Sequence, residues 1–392
     1  MKLSSVVVTL ILTVGVSYYI YTPLPAAIEE PLKLMLLDAL FRGDLCQCLG
    51  LSHHIPWIRG TISGLETLGE MAGGQRGGVR VSDVDFDRVP VRVYEPPAAG
   101  GGEGGLRRAV MFYHGGGWAL GATSKCVYRL APEVHFPVQY EDCLAAAKHF
   151  LEPGILGKLS VDPQRVAVSG DSAGGNLAAA VAQQISIDDS VSVKFSVQAL
   201  IYPVLQGLDL NTPSHQQNHN IPILHRFIMA RFWLLYLGVD TSLHPLLLSP
   251  SFLHHPSIPP SLRSHLNWTN LLPAKHIKHY KPVGMEMGSQ EVMGQEGNLL
   301  PVLLDVRAAP LLAEQGVLGR TPRAYILTCE YDVLRDDGLM YTRRLQDAGV
   351  TVSSHHYDDG FHGALSFAHW PFFFDVGKRM IRGYMDWLQE NL

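Results

Sequence analysis

The chain has 392 residues, 47% of them hydrophobic, and its 31 Lys and Arg against 36 Asp and Glu give a formal net charge of -5. This length suffices for one large α/β domain or for a domain with an inserted cap. The nearly even charge, without basic or acidic runs, argues against a nucleic-acid-binding surface and against a long disordered tail.

The N-terminus predicts a membrane anchor. Lys2 precedes an uncharged run over 3–27, and a tyrosine cluster at 18–21 follows its most apolar part. About 20 apolar residues span a bilayer, and aromatic residues are typical of its interface. A cleaved signal peptide would end in a small-x-small site, for which Pro-Ala-Ala at 25–27 is a weak candidate. We expect 1–27 to be an uncleaved signal anchor, with the body of the chain in a lumen.

A lumenal body gives meaning to one sequon and to the cysteines. Asn-Trp-Thr at 267–269 makes Asn267 a candidate glycosylation site. The five cysteines are odd in number, so at least one is unpaired or shared between chains in an oxidising compartment. No metal-ligand spacing appears among Cys and His, and we interpret the histidine doublets, such as His355-His356, as surface histidines.

Hydrophobic patterning after residue 78 predicts strands alternating with helices. We expect strands at 79–84, 89–94, 108–113, 166–169, 193–202, 323–329 and 351–357, and helices at 140–151, 176–185, 338–348 and 373–388. This alternation indicates a mostly parallel sheet with helices on both faces. We expect residues 28–392 to form this α/β domain, with a cap contributed by about 31–75 and 207–315.

Two glycine motifs predict acyl transfer by a nucleophilic serine. His-Gly-Gly-Gly-Trp at 114–118 follows a predicted strand, and Gly-Asp-Ser-Ala-Gly at 170–174 joins a strand to a helix. The second motif has the G-x-S-x-G form, which lifts the hydroxyl of Ser172 clear of the sheet. We expect the backbone N–H groups of three residues to bind the developing oxyanion: Gly115, Gly116 and Ala173. The remaining motif residues are His114, Gly117, Gly170, Asp171 and Gly174, and Trp118 is interpreted as a packing residue.

Asp332 and His362 complete the predicted catalytic set with Ser172. Both follow predicted strands, so they lie with Ser172 at the carboxyl edge of the sheet, and the order Ser, Asp, His is that of α/β-hydrolases. His362 would take the hydroxyl proton and Asp332 would orient the imidazole, so no metal or organic cofactor is required. Three alternative acids are interpreted as solvated loop or helix-cap carboxylates: Asp336, Asp337 and Asp359.

These motifs resemble those of the hormone-sensitive-lipase branch of the α/β-hydrolases, and more closely those of the arylacetamide deacetylase family. The resemblance covers nearly all of the chain after residue 30 and includes Tyr-Arg-Leu-Ala-Pro at 128–132, Asp-Val-Leu-Arg-Asp at 332–336 and Gly-Phe-His-Gly at 360–363. It implies hydrolysis of carboxylic esters, arylacetamides or neutral acyl lipids, with a small lipophilic substrate as partner. It also implies a single-pass protein of the endoplasmic reticulum that faces the lumen.

The chain departs from the family pattern in two places. Ala119 stands where several relatives have a cysteine that pairs with the cysteine before the acid loop, so Cys329 is expected to lack that partner. Only 119–127 separate Trp118 from Tyr128, where the family has a helix and a strand. A parallel crossover needs about a dozen residues, so we expect one interior helix-strand unit to be missing. The alternative function is therefore a catalytically compromised isoform or a non-catalytic ligand-binding protein on the same fold.

Overall fold

The computed structural model describes residues 3–48, 55, 59, 78–97, 105–121, 128–280, 297–369 and 371–392. The strands are β1 (Arg80–Phe86), β2 (Val89–Glu95), β3 (Arg107–Tyr113), β4 (Val161–Asp171), β5 (Val197–Ile201), β6 (Arg323–Tyr331) and β7 (Val352–Phe361). The helices outside the region between β5 and β6 are α1 (Leu3–Ile20), α2 (Pro31–Cys48), α3 (Val138–Phe150), α4 (Pro153–Lys158), α5 (Ala173–Ile187), α14 (Arg335–Asp347) and α15 (Asp375–Asn391).

Between β5 and β6, the described residues 202–280 and 297–322 form eight helices, most of them short. They are α6 (Pro213–Gln217), α7 (Arg226–Leu237), α8 (His244–Leu247), α9 (Pro260–His265), α10 (Trp268–Leu271), α11 (Ala274–Ile277), α12 (Leu299–Leu303) and α13 (Gln315–Leu318), with 3₁₀ turns at Thr241–Leu243, Phe252–His254 and Pro310–Leu312. Within 207–280 and 297–315 the chain forms no strand, in keeping with the predicted break in the alternation.

Among the residues that the structure describes, the main sheet has five parallel strands in the order β3-β4-β5-β6-β7. Its interior strands read as continuous runs of Val, Ala, Leu and Ile, and residues 166–171 of β4 and 197–201 of β5 are all buried. Such runs are typical of strands covered on both faces. The predicted α/β-hydrolase class, with a parallel sheet and helices on both sides, is confirmed.

Successive side chains of the sheet enter two hydrophobic clusters. Leu200 and Ile326 belong to the larger cluster, which includes buried residues of α3, α5 and α14. Their neighbours Ala199 and Leu327 belong to the second cluster, which includes buried residues of α15. Because side chains alternate across a strand, the two clusters are the cores of the two faces.

Strand β3 lies at the edge of this sheet. In the part of the chain that the structure describes, β3 pairs with β4 alone, while β1 and β2 form a separate antiparallel pair. Val110 and Phe112 are 39% and 38% exposed, although Tyr113 is fully buried. An apolar edge strand is what the loss of a neighbouring strand would leave. Residues 122–127 of the short link lie outside the described residues.

The N-terminal helices differ in their contacts. Leu34 and Leu37 of α2 are buried and belong to the second cluster, whereas the large apolar side chains of α1 from Val7 to Val16 are exposed. Across the ranges that the structure describes, no helix is both long and apolar enough to cross a membrane. The described residues of the predicted 31–75 cap segment are α2, Ile55 and Arg59.

We predict that lysine at the β3 edge leaves the fold intact and reduces self-association. Val110→Lys places a charge on a half-exposed edge strand, which opposes pairing with another chain. The free energy of unfolding should change by less than about 0.5 kcal/mol, as at other surface positions. Light scattering against concentration and a urea melt measure the two effects. Val168→Lys, at a fully buried position of β4, is the destabilised control, and equal destabilisation by both would show that β3 is covered.

Candidate active site

Ser172 occupies a strained turn between β4 and α5. Its φ of 54° and ψ of -118° are unusual for a residue with a side chain. A Cβ at Gly174 would lie 2.0 Å from the carbonyl oxygen of Tyr113, and one at Gly170 would lie 2.3 Å from that of Gly174. Both glycines are therefore required by close backbone contacts, and they hold the serine at the carboxyl end of the sheet.

The structure brings Ser172, His362 and Asp332 into one hydrogen-bonded line. The Nε2 atom of His362 lies 2.9 Å from Oγ of Ser172, and its Nδ1 atom lies 2.8 Å from Oδ2 of Asp332. All three residues are buried. With the Nδ1 proton donated to Asp332, Nε2 presents a lone pair to the serine hydroxyl, which is the geometry of a general base.

Asp332 is fixed by two neighbours as well as by the histidine. Its Oδ1 atom accepts a hydrogen bond from the backbone N–H of Leu334 at 2.8 Å. The side chain of Asn218 donates to the backbone carbonyls of Asp332 and Glu330, at 3.0 and 2.9 Å. Sequence reasoning missed Asn218, because it lies in the 207–315 region and carries no motif of its own.

The His-Gly-Gly-Gly-Trp loop is held from two sides. Trp118 is fully buried and stacks on Tyr236 of α7, with ring centroids 4.1 Å apart, so it is a packing residue. Gly117 has a φ of 61°, and a Cβ there would lie 2.3 Å from the ring of Phe232. His114 stacks on Tyr128, with ring centroids 4.5 Å apart. Helix α7 and the Tyr-Arg-Leu-Ala-Pro segment therefore position the glycines.

One predicted oxyanion donor is wrong. The N–H of Gly115 donates to Oδ1 of Asp171 at 2.7 Å, so this group is already used. For Gly116, Gly117 and Ala173, the described part of the chain supplies no acceptor for the backbone N–H. The sequence did offer a reason to include Gly117 among the oxyanion donors. It is the third consecutive glycine of the motif, and consecutive N–H groups in such a loop form a single concave donor surface.

Two of the alternative acids are buried rather than solvated. Asp337 accepts hydrogen bonds from the backbone N–H groups of Leu205 and Gln206 at 2.8 and 3.3 Å, and Asp336 accepts one from Ser214 at 2.6 Å. Burial raises the pKa of Asp337 to about 7. These carboxylates tie the start of α14 to the segment after β5. Asp359 instead pairs with Arg379 at the surface.

The buried thiols and the potential metal ligands are not part of the hydrogen-bonded set of Ser172, His362 and Asp332. Cys329 and Cys143 are buried free cysteines, so Cys329 has no disulfide partner. In the ranges described by the structure, one group of three potential metal ligands occurs, consisting of His276, Glu330 and His356. The predicted surface doublet His355-His356 lies on β7 with both side chains partly exposed, and each also makes a contact within the fold, His355 with Tyr325 and His356 with Thr328.

Asp171 connects the nucleophile turn to the glycine loop. Burial raises its pKa to about 6, whereas the hydrogen bond from Gly115 and the proximity of His362 oppose that rise. A Cβ at Gly115 would lie 2.5 Å from Oδ2 of Asp171, so only glycine allows this close contact.

Sequence comparison places the chain among known hydrolases. The model of a family described by the alpha/beta hydrolase fold matches residues 122–262 and 279–366, more than half of the chain. Neutral cholesterol ester hydrolase 1 of Bos taurus is 44% identical over 421 aligned positions, covering 100% of both chains. Arylacetamide deacetylase of Rattus norvegicus is 41% identical over 408 positions, covering 98% of each.

The first of these alignments is 29 positions longer than the chain, which has 392 residues. That relative therefore has at least this many residues without a counterpart here. A complete βαβ unit, with two strands and a helix, takes about 30 residues, so a difference of this size is long enough to contain the helix and strand that are expected to be missing.

Solved structures share the fold. A thermostable esterase from Pseudomonas putida has a TM-score of 0.66 at 22% identity, covering 94% of this chain and 99% of that chain. A hyperthermophilic esterase from the archaeon Pyrobaculum calidifontis has a TM-score of 0.64 at 25% identity, with the same coverage of both chains.

We predict that Asp171→Asn removes part of the pH dependence of stability. The pKa of Asp171 in the folded chain, about 6, lies above the usual aspartate value, so the folded state favours the protonated carboxyl. Its contribution to the free energy of unfolding is therefore complete below about pH 4 and is lost as pH rises through 6. Urea unfolding across this range should show the wild-type chain losing stability relative to the variant. Asp189→Asn, at an exposed position, is the matched control. Equal pH slopes for wild type and Asp171→Asn would contradict the prediction.

Proposed function

Because this chain belongs to the arylacetamide deacetylase family of α/β-hydrolases and is an ester hydrolase, we propose a specific reaction for it. It cleaves lipophilic carboxylic esters or arylacetamides, with Ser172, His362 and Asp332 as the catalytic residues. One observation carries the proposal. The distances of 2.9 Å from Ser172 to His362 and 2.8 Å from His362 to Asp332 form a continuous hydrogen-bonded line from the serine hydroxyl to a buried carboxylate.

The reaction proceeds through an acyl-enzyme. Nε2 of His362 takes the proton of the Ser172 hydroxyl as Oγ attacks the carbonyl carbon, while Asp332 stabilises the imidazolium. When the tetrahedral intermediate collapses, His362 gives this proton to the leaving alcohol or amine. Water then attacks the acyl-enzyme by the same route, with His362 as base, and releases the acid and the free serine.

The oxyanion is stabilised by backbone N–H groups of Gly116, Gly117 and Ala173. Gly116 and Gly117 have positive φ, and Ala173 begins helix α5, whose N-terminus favours negative charge. Loss of one such donor typically costs about 10²–10³ in rate. Asp171 has a positioning role, because it accepts a hydrogen bond from Gly115, the residue directly before Gly116.

The proposed lipophilic substrate has two supports. A Cβ on Gly363, the residue after His362, would lie 3.7 Å from Cγ2 of Ile223, so an apolar side chain lies beside the loop that carries the base. The relatives bear names that refer to cholesterol ester and to arylacetamide, both apolar in their acyl or leaving group. These names support carboxylic esters or arylacetamides of this kind as the proposed substrates of the chain.

We also propose that the N-terminal segment 1–27 anchors the chain in the membrane of the endoplasmic reticulum, with the hydrolase domain in the lumen. The support is the run of exposed apolar side chains on α1, from Val7 to Val16, followed by exposed tyrosines at its far end. Asn267 is exposed at the start of α10, which suits a glycosylation site.

A second candidate is a non-catalytic protein on the same fold. The half-exposed apolar edge of β3 and the shorter chain favour it, because strand β3 leads directly into the oxyanion loop. The presence of His362 in hydrogen-bond contact with Ser172 opposes it.

We predict that a fluorophosphonate probe labels the wild-type chain and not Ser172→Ala. Asp332→Asn should retain the fold and lower kcat about 10⁴-fold on an aryl ester, because the imidazole loses its orienting partner. Ser190→Ala, at an exposed position, is the control and should label like wild type. A folded, soluble wild-type chain that takes no label would support the non-catalytic protein, and labelling that persists in Ser172→Ala would contradict the nucleophile.

We predict that alkaline carbonate leaves the chain in the microsomal membrane and that glycosidase increases its gel mobility. Asn267→Gln should abolish the mobility shift, because the chain carries one sequon. Asn270→Gln, in the same short helix but outside the sequon, is the matched control. Carbonate release would contradict the anchor, and an unshifted wild-type chain would contradict a glycosylated lumenal domain.

A further inference from the structure

Three potential metal ligands from separate parts of the chain meet beside the acid loop. His276 lies on α11, Glu330 near the end of β6, and His356 on β7. Two imidazole nitrogens and one carboxylate oxygen lie within 4.8 Å of one another. Neutral imidazole and carboxylate are ligands that zinc uses in proteins.

The two oxygens of Glu330 have different partners. Oε1 accepts hydrogen bonds from Arg335 at 2.8 Å and from Gln217 at 3.0 Å. Oε2 faces Nε2 of His356 at 3.1 Å and Nδ1 of His276 at 3.9 Å. One oxygen is thus held by donors, and the other is directed at two imidazole nitrogens.

Hydrogen bonding does not account for the whole arrangement. The 3.9 Å separation of His276 from Glu330 exceeds hydrogen-bond length, although the His276 side chain is buried. A shared cation would bring both ligand atoms to about 2.0–2.2 Å from itself, which requires only a modest contraction of the present group.

The surroundings orient one ligand and offer another. Nδ1 of His356 lies 2.9 Å from the hydroxyl of Thr328, which can accept a hydrogen bond from Nδ1–H in the tautomer whose Nε2 lone pair would bind a metal. Such a partner on the second ring nitrogen is typical of metal-bound histidine. Asp358 lies on the same strand, with Oδ1 at 3.5 Å from Nε2 of His356, and supplies a possible fourth ligand.

The charge balance suits a divalent cation. Arg335 is fully buried and also contacts Asp336, with Nε at 3.0 Å from Oδ1, so its positive charge is shared with a second carboxylate. Glu330 therefore keeps one oxygen for a cation despite its contact with Arg335.

We propose that His276, Glu330 and His356 bind a divalent transition metal of the zinc class, which ties α11 to strands β6 and β7. The bound ion would stiffen the strand end that leads into Asp332, because Asn218 bridges the carbonyls of Glu330 and Asp332. The site contains none of Ser172, His362 and Asp332, and the role that we assign to the bound ion is structural.

The experiment measures zinc uptake by the purified full chain in detergent after treatment with a chelator. We expect one Zn²⁺ per chain after dialysis and a higher unfolding temperature with the metal. His276→Gln and His356→Gln should each weaken zinc binding by at least about 10-fold to 100-fold, the effect of losing even an outer-shell partner. His279→Gln, at an exposed position three residues after His276, is the matched control and should bind like wild type.

Two further measurements keep the result independent of variant folding. Thr328→Val is nearly isosteric and should weaken binding about 10-fold to 100-fold by freeing the second nitrogen of His356. Co²⁺ in the wild-type chain should give the strong visible absorption of a four-coordinate ion. Absence of zinc uptake by the folded wild-type chain, a six-coordinate Co²⁺ spectrum, or unchanged affinity in folded His276→Gln or His356→Gln would overturn the proposal. None of these readouts depends on hydrolase activity.

Discussion

The sharp turn at Ser172 is the constraint on which the rest of the site depends. A residue held in this region of φ and ψ costs on the order of 1–3 kcal/mol, so its surroundings must fix it. The N–H of Ser172 donates to the carbonyl of Ile201 at 2.9 Å, and its carbonyl accepts from Asn176 at 3.1 Å. Strand β4, paired on both sides, and helix α5, buried along most of its length, therefore impose the conformation that aims the hydroxyl at His362.

The groups around that hydroxyl are linked to one another through buried polar contacts. Asp171, directly before the nucleophile, accepts a hydrogen bond from Gly115 of the glycine loop. The same loop also packs at Gly117 against the ring of Phe232 on α7. The side chain of Asn218 supports the acid loop by donating hydrogen bonds to the backbone carbonyls of Glu330 and Asp332. The region between β5 and β6 thus contacts both the oxyanion loop and the acid loop.

Sequence reasoning found what local motifs encode. Ser172, Asp332 and His362 follow strands whose carboxyl ends share one edge, so their convergence needs only the order of elements. The nine residues of 119–127 similarly predicted an absent strand, and β3 lies at the edge of the described sheet. The use of the Gly115 N–H could not be predicted, because it depends on a side-chain direction. The sequence also did not reveal the burial of Asp336, since charge alone does not report how a helix start packs.

The buried carboxylates at the start of α14 have a consequence for how this enzyme can change. Asp336 and Asp337 bind the backbone of 205–214, and they stand in the same short segment as Asp332. A mutation that reshapes the region between β5 and β6 for a new substrate therefore also moves the segment that carries the acid. Specificity and turnover are coupled in evolution, and new specificities should arise more readily through side chains that do not touch 205–214.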